Sequence, residues 1–304
     1  MLTDNQLSLP GIRAEFQTAF DAAPAVWEDL STRVPSNTGT EQYRFLGSVP
    51  PMREWGTGRK AVGMVTESYS VENLRYEATI SVDRSEISDD QHGHIAMRIR
   101  ELAERAKQHK DAEIARLLIN GHTSGFHSYD GVPFFSASHV SGKSGTQDND
   151  ITSGAVSASV PTVAEIKAAI KAGITQMLGL KDEQGEPMNN AATGLVAVVP
   201  PATHLDFLEA VSSSLVANAR NVLESACRVL VFPRITTASV FYLLKTDVQV
   251  RPFVFQDREP IEFGSLERES ESGFLREVYL YGVRARYRMT YGYWQRAVKI
   301  TFTQ

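Results

Sequence analysis

Apolar positions along the chain fall into a few separate periodicities. The strongest is helical: Ile95, Ile99, Leu102, Ala103, Ala106, Ile114, Leu117 and Leu118 recur at three- and four-residue spacing, with Arg98, Arg100, Glu104, Arg105, Lys107 and Lys110 largely on the remaining faces. Ser88-Asp89-Asp90 stands ahead of this run with side chains suited to capping free backbone N–H groups, so a helix is predicted over about 90–120. At about 1.5 Å per residue it would be about 45 Å long, more than a compact small domain needs. A second helix is predicted from about Pro161, with Val163, Ile166, Ile170, Ile174 and Met177 on its apolar face, and a third over 202–215.

Strand signals surround these helices. Tyr76, Ala78, Ile80 and Val82 alternate with Arg75, Glu77, Thr79 and Ser81, the period-two pattern of a half-buried strand. The run 195–199 is continuously apolar and stopped by Pro200-Pro201, and further strands are predicted at 229–232, 240–244, 252–255 and 261–263. The stretch 278–302 is strand-rich, with Val283, Ala285, Tyr287, Met289 and Tyr291 facing one way and Arg284, Arg286 and Arg288 the other. The order is mixed α+β, without the strand-helix alternation of a doubly wound sheet.

Two segments lack a core of their own. Residues 1–41 carry short helical patterns at 12–16 and 25–27, then a polar stretch over 32–40, and read as an arm that packs on something else. Between Tyr43 and Tyr76, Pro50-Pro51, Gly56-Thr57-Gly58 and a scarcity of aliphatic residues describe a long hairpin or extended loop. A two-stranded hairpin is marginal alone in water, so it needs a partner surface in the same chain or in a neighbour.

Composition narrows the functional classes. With 304 residues, 42% hydrophobic and 22% charged, the chain is expected to be folded and soluble. A net charge of -5 argues against a broad basic face for nucleic acid. Cys227 is the sole cysteine, which excludes an intrachain disulfide and a cysteine-based zinc site. The N-terminal residues lack the pattern of a signal peptide, and the longest apolar run, 195–201, is far below the roughly 18 residues of a membrane span.

Candidate chemistry was tested against what each reaction requires. Ala137 followed by Gly142-Lys143-Ser144 matches a relaxed nucleotide-binding P-loop, which must join a buried strand to a helix N-terminus. Here the next residues are Gly145-Thr146-Gln147-Asp148-Asn149-Asp150, with no helical stripe, so a solvated loop is the better reading. Ser136, Ser138 and His139 carry no nucleophile-elbow pattern, and His139 reads as a hydrogen-bonding loop residue. His92 and His94 would point about 200° apart on a helix and cannot chelate one ion from one face. His109, His122, His127 and His204 add no ligand spacing, and Cys227 reads as a small buried hydrophobe. The Arg284, Arg286 and Arg288 face suits either nucleic-acid phosphates or an interface strand paired with acidic side chains. Arg53, Trp55, Arg59 and Lys60 suit a loop gripping a neighbouring subunit.

The order of arm, unsupported hairpin, long helix and mixed domain resembles the Hong Kong 97 capsid fold of tailed-phage shells. The wording is closer still to the Mu-type phage major head subunit family. It matches through Ala78-Thr79-Ile80-Ser81-Val82-Asp83-Arg84, Ile87 and Asp89-Asp90, and most distinctively through Tyr129-Asp130-Gly131-Val132-Pro133-Phe134-Phe135-Ser136-Ala137-Ser138-His139. The run 195–201, Arg284-x-Arg286, Gly292, Trp294, Ala297 and Lys299 continue it, over roughly 75–300. One departure is His139-Val140 where the family often has His-Pro, followed by the Ser141-Gly142-Lys143-Ser144 insert that created the P-loop-like pattern.

The resemblance implies an N-terminal arm at 1–41, an extended loop at 42–82, a peripheral domain at 83–193 and 276–304 carrying the spine helix, and an axial domain at 194–275. It also implies a non-enzymatic, cofactor-free major capsid protein in the virion, assembled in the host cytoplasm into hexamers and pentamers of an icosahedral shell. That shell would hold double-stranded DNA without sequence specificity, with a separate scaffolding protein and a portal as partners; a decoration protein stays open. The contact candidates are then Arg53, Trp55, Arg59, Lys60, Arg284, Arg286 and Arg288. The alternatives are a non-viral encapsulating shell of the same fold, a P-loop enzyme using Lys143, and a DNA-binding module using the arginine face.

Overall fold

In the computed structural model the described residues are 9–43, 69–88, 93–213, 215–216, 219–267, 270 and 275–304. Helices α1 (Leu9–Ala22) and α2 (Trp27–Leu30) lead into strands β1 (Ser31–Pro35), β2 (Thr40–Tyr43), β3 (Tyr69–Glu72) and β4 (Leu74–Asp83). Then come α3 (Arg84–Ser88), the long α4 (His94–Asn120), β5 (His139–Val140), β6 (Thr146–Gln147), β7 (Asp150–Gly154) and α5 (Val163–Gly179). The rest is β8 (Leu195–Val199), α6 (His204–Ser212), β9 (Leu215–Val216), β10 (Ala219–Arg220), β11 (Arg228–Val231), β12 (Val240–Lys245), β13 (Phe253–Leu266), β14 (Val278–Tyr291) and β15 (Ala297–Thr303).

Two sheets organise these elements. The first has the order β1-β13-β14-β4, built on a hairpin of two 14-residue strands paired from Phe253↔Tyr291 to Leu266↔Leu280. Its alternation is as read: Val283, Ala285, Tyr287, Met289 and Tyr291 are buried, Arg284 is exposed, and Arg286 and Arg288 are half-buried. On the apolar side, Ile95, Ile99, Leu102 and Ala103 of α4 meet Val82, Tyr281 and Val283, and Ile12 and Phe16 of α1 close a small separate core. The second sheet, β11-β8-β12-β15-β7, carries the large core, with β8 buried at all five positions and α5 and α6 packed against it. Helix α5 starts with a capping box: the Glu165 amide donates to the Thr162 hydroxyl, and the Thr162 amide donates to the Glu165 carboxylate at 2.7 Å.

Four expectations need correction. Helix α4 starts at His94, after Gly93 at φ 71°, and without the expected Ser-Asp cap; Ser88 ends the short α3, and Asp89 and Asp90 lie outside the described residues. Its 27 residues give about 40 Å. The predicted strands at 252–255 and 261–263 are one strand, β13, which absorbs Pro260 within the second of two register shifts; a proline supplies no N–H to a ladder and is tolerated at such a bulge. The third helix is shorter than 202–215, because 201–203 form a 3-10 turn ahead of α6.

The described part of the arm packs on its own chain. α1 lies along α4, and β1 pairs in parallel with β13 from Ser31↔Phe253 to Pro35↔Asp257. The polar turn that follows is held by Glu41, whose carboxylate accepts from the Ser36 hydroxyl and the Asn37 and Thr38 amides and so falls to a pKa of about 2.

Candidate assembly surface

The Gly-Lys-Ser segment is the turn of a small hairpin between β5 and β6. The Ser144 amide donates to Ser141 O at 3.0 Å, the Ser144 hydroxyl accepts from the Ser141 amide at 3.0 Å, and the Lys143 amide donates to Glu183 O at 2.8 Å. Gly142 has φ 54°, and a Cβ there would stand 2.5 Å from Glu183 O, so the glycine serves a close backbone approach. These amide and hydroxyl groups are engaged within the chain, and a strand rather than a helix follows, so no phosphate cradle forms.

The neighbouring histidine is a core residue. His139 is fully buried, stacked on Trp294 with ring centroids 4.0 Å apart and 7° between planes. Its Nδ1 lies 2.6 Å from Asp130 Oδ2 and its Nε2 lies 3.2 Å from Phe134 O. Both ring nitrogens are therefore engaged, and neither serves Ser136 or Ser138, whose hydroxyls bond each other at 2.9 Å. Asn149 completes this hub: its amide donates to Phe134 O at 2.9 Å, Ala297 O at 3.2 Å and Trp294 O at 3.3 Å. The distinctive 129–139 block is thus fastened to the start of β15.

Other chemistry-bearing candidates are equally inert. Cys227 is buried, which pushes its thiol up to about 11 and away from thiolate chemistry. His94 begins α4, and His92 lies outside the described residues. Among the described residues no group of three or more His, Cys, Asp or Glu converges, and no helix is long and apolar enough to cross a membrane.

The arginine face is divided by its surroundings. Arg284 Nη2 lies 2.9 Å from Glu259, whose other oxygen is 3.9 Å from Arg286, in line with the acidic-partner reading of this strand. Arg288 lies instead beside Tyr69, Glu72 and Thr290, where the β2–β3 pair crosses the sheet. That crossing is fixed by Tyr43 OH donating to Gln256 Oε1 at 2.6 Å and by the Tyr69–Thr290 hydroxyl pair at 2.6 Å. The three arginines do not make one open row. Arg53, Trp55, Arg59 and Lys60 lie outside the described residues.

Two residues that the sequence reading passed over fasten the arm to α4. Asp111 Oδ1 accepts from the Val26 and Trp27 amides at 3.1 and 2.8 Å, capping α2 from another helix, while burial pushes its carboxyl upward. Lys110 Nζ stands 4.4 Å from the Trp27 ring centroid and 4.2 Å from that of Phe255, and burial lowers its pKa to about 8. The available signal was a gap: Lys110 and Asp111 interrupt the apolar stripe between Ala106 and Ile114.

Comparison with known proteins bears on what this surface serves. A family model described as Mu-like prophage major head subunit gpT matches residues 6–163 and 234–303. The Mu-like prophage FluMu major head subunit of Haemophilus influenzae is 22% identical over 292 residues, covering 94% of this chain and 70% of that protein. The major capsid protein of Escherichia phage Mu is 23% identical over 289 residues, covering 95% and 70%. Among solved structures, the procapsid of bacteriophage JBD30 aligns at TM-score 0.57 and 23% identity, covering 96% of this chain and 73% of that one.

Proposed function

The chain belongs to the Mu-like prophage major head subunit family, and from that premise we propose how its parts serve a shell. It is a major head protein, a structural and non-enzymatic subunit that forms the capsid shell of a Mu-like tailed phage and so is a component of the virion. Its mixed α+β fold matches that of phage capsid proteins.

The finer reading is ours. Residues 1–41 act as the arm, 42–82 as the extended loop, 83–193 with 276–304 as the peripheral domain, and 194–275 as the axial domain. The observation that supports it best is the long β13–β14 hairpin under α4, which leaves the large core and carries a half-exposed sheet outward. A half-exposed sheet of this kind suits a subunit that meets copies of itself. Hexamers and pentamers would close an icosahedral shell around double-stranded DNA held without sequence-specific contacts, with assembly in the host cytoplasm. Scaffolding and portal proteins would be partners, and a JBD30 capsid decorated with minor capsid protein trimers supports a decoration protein as a further one. Arg284, Arg286 and Arg288 would contribute to contacts between subunits, as would Arg53, Trp55, Arg59 and Lys60.

Electron microscopy of the expressed chain, with a scaffolding protein supplied where needed, is expected to show closed particles. Deleting 47–64 is expected to leave a soluble folded chain that makes none. Normal particles from the deletion variant would remove the extended-loop assignment while leaving the shell role intact.

A further inference from the structure

The face of the first sheet turned away from α4 carries a like-charge pair. Arg75 of β4 and Arg286 of β14 stand directly opposite each other in the ladder, and Arg288 follows Arg286 on the same face. Like charges directly opposite each other destabilise a sheet, so the pair opposes folding of the isolated chain. Among the described residues, Arg75 and Arg288 have no carboxylate within ion-pair distance. Arg286 has only Glu259 at 3.9 Å, a carboxylate already 2.9 Å from Arg284.

Two of the three guanidinium groups are held in place by the arm and by β3. Arg286 lies beside the turn that follows β1, where a Cβ on Gly39 would stand 3.6 Å from its Nη2, and its Nε is buried without an acceptor. Arg288 approaches the Tyr76 phenol and lines a polar pocket of about 180 Å³ with Tyr69, Ser70, Glu72 and Thr290. The walls are fixed: the Asn73 amide, between β3 and β4, donates to Ser36 Oγ at 2.8 Å and to Thr38 O at 3.0 Å, and the Tyr69 and Thr290 hydroxyls pair at 2.6 Å. The nearby carboxylates of Glu41 and Glu77 are engaged elsewhere, the first by the Ser36 hydroxyl and the Asn37 and Thr38 amides, the second by the Thr79 hydroxyl at 3.0 Å.

We propose that Arg75, Arg286 and Arg288 form a receptor for a carboxylate side chain of a second copy of the chain. The proposal rests on the shell-subunit reading, under which copies meet. An arginine fork matches a planar oxyanion, so guanidinium groups without a close carboxylate in their own chain are completed by one from outside. A second copy can supply it, because the chain has 36 Asp and Glu against 31 Lys and Arg and a net charge of -5, which leaves carboxylates in surplus. The repulsion between Arg75 and Arg286 is then relieved only on assembly, which favours contact over the free subunit.

The test uses particles assembled from an equal mixture of light and heavy isotope-labelled chains that carry Arg75→Lys. Carbodiimide treatment condenses an amine with a carboxylate in contact, forming an amide with loss of water. Mass spectrometry is expected to find position 75 joined to an Asp or Glu in peptides that combine the two isotopes, in DNA-free particles as well as in filled ones. Joining only within one chain, or no joining, overturns the proposal. In a second variant, Arg75→Gln, the urea midpoint of the free subunit should stay unchanged or rise, while the subunit concentration needed for assembly rises about fivefold. An unchanged assembly threshold overturns the proposal. So does a variant whose empty particles form normally but retain less DNA, because the ligand would then be a phosphate. Those results leave the shell role standing, whereas failure of the unaltered chain to form particles would remove the role and the proposal together.

Discussion

The two sheets of this subunit solve different problems. Sheet β11-β8-β12-β15-β7 is finished within the chain: β8 is buried at every position, β12 at five of six, and α5 and α6 pack against it. The β13–β14 hairpin lies against that same core where β13 starts and β14 finishes, with Phe253, Val254, Phe255, Met289 and Tyr291 buried, and its other end runs out of the core. Beyond Gln256 the pattern of β13 turns to half-buried and then alternating exposed positions, packed mainly on the smaller core under α1 and α4. Free energy of folding is concentrated in the first region. The second keeps an open edge at β4 and a half-exposed face on which Glu259 pairs with Arg284 and Arg286.

The comparison is broken most severely by destroying the hub of the finished region. His139→Ala removes the ring stacked on Trp294 and leaves the Asp130 carboxylate, 2% exposed, without its nitrogen partner. Stripping one member from a buried polar pair typically costs about 3–5 kcal/mol, because the other stays buried and unsatisfied. Urea unfolding should show that loss at unchanged m-value. A loss below about 1 kcal/mol would mean that the 129–139 block is not what ties this region together.

Much of this division could be read from residues alone, for a physical reason. Burial on one face writes a period into the sequence, so α4, α5, β8 and the alternating face of β14 were legible. Long-range polar contacts write no period. Asp111 caps α2 across more than 80 positions, and Asn149 bonds the carbonyls of Trp294 and Ala297 from a loop, so neither could be assigned a partner beforehand. The start of α4 was misplaced because Ser88-Asp89-Asp90 has the composition of a cap, whereas the backbone makes its turn at Gly93. The Gly-Lys-Ser segment was told from a phosphate loop only by the absence of a helical stripe behind it, because two left-handed glycines serve a hairpin turn as readily as a phosphate loop. Of the contact candidates, the arginine triplet was visible as a face, but its splitting by β3 depends on the Tyr43 and Tyr69 hydroxyls reaching Gln256 and Thr290.

An intermediate effect is expected at the junction where the arm is pinned. Lys110 is lowered to about 8 in the folded chain against an ordinary value of 10.5. The unfolded chain therefore holds this proton over a range where the folded chain has lost it, and stability rises with pH between those values. Below pH 8 the cost of burying the ammonium is fully present, and by pH 9.5 about 2 kcal/mol of it is relieved. Lys110→Met should remove that rise, so the difference between wild-type and variant stability should shrink from pH 7 to 9.5. Parallel curves would show that Trp27 and Phe255 hold the charge as well as water does.

The smallest effect on folding should accompany a large one on assembly, and it sharpens the comparison most. Arg284 reaches Glu259 at 2.9 Å, but its side chain is 62% exposed, and surface pairs of this kind contribute about 0–1 kcal/mol. Arg284→Ala should therefore change urea stability by no more than about 0.5 kcal/mol. If the half-exposed sheet is kept open for neighbouring subunits, the same substitution removes a guanidinium from their contact and releases Glu259 to repel acidic groups there. The yield of closed particles should then fall severalfold, most visibly at low ionic strength, where unscreened charges act furthest. Normal particle yield from a normally stable variant would show that this part of the face stays in solvent in the shell, and would move the subunit contact toward the β4 edge.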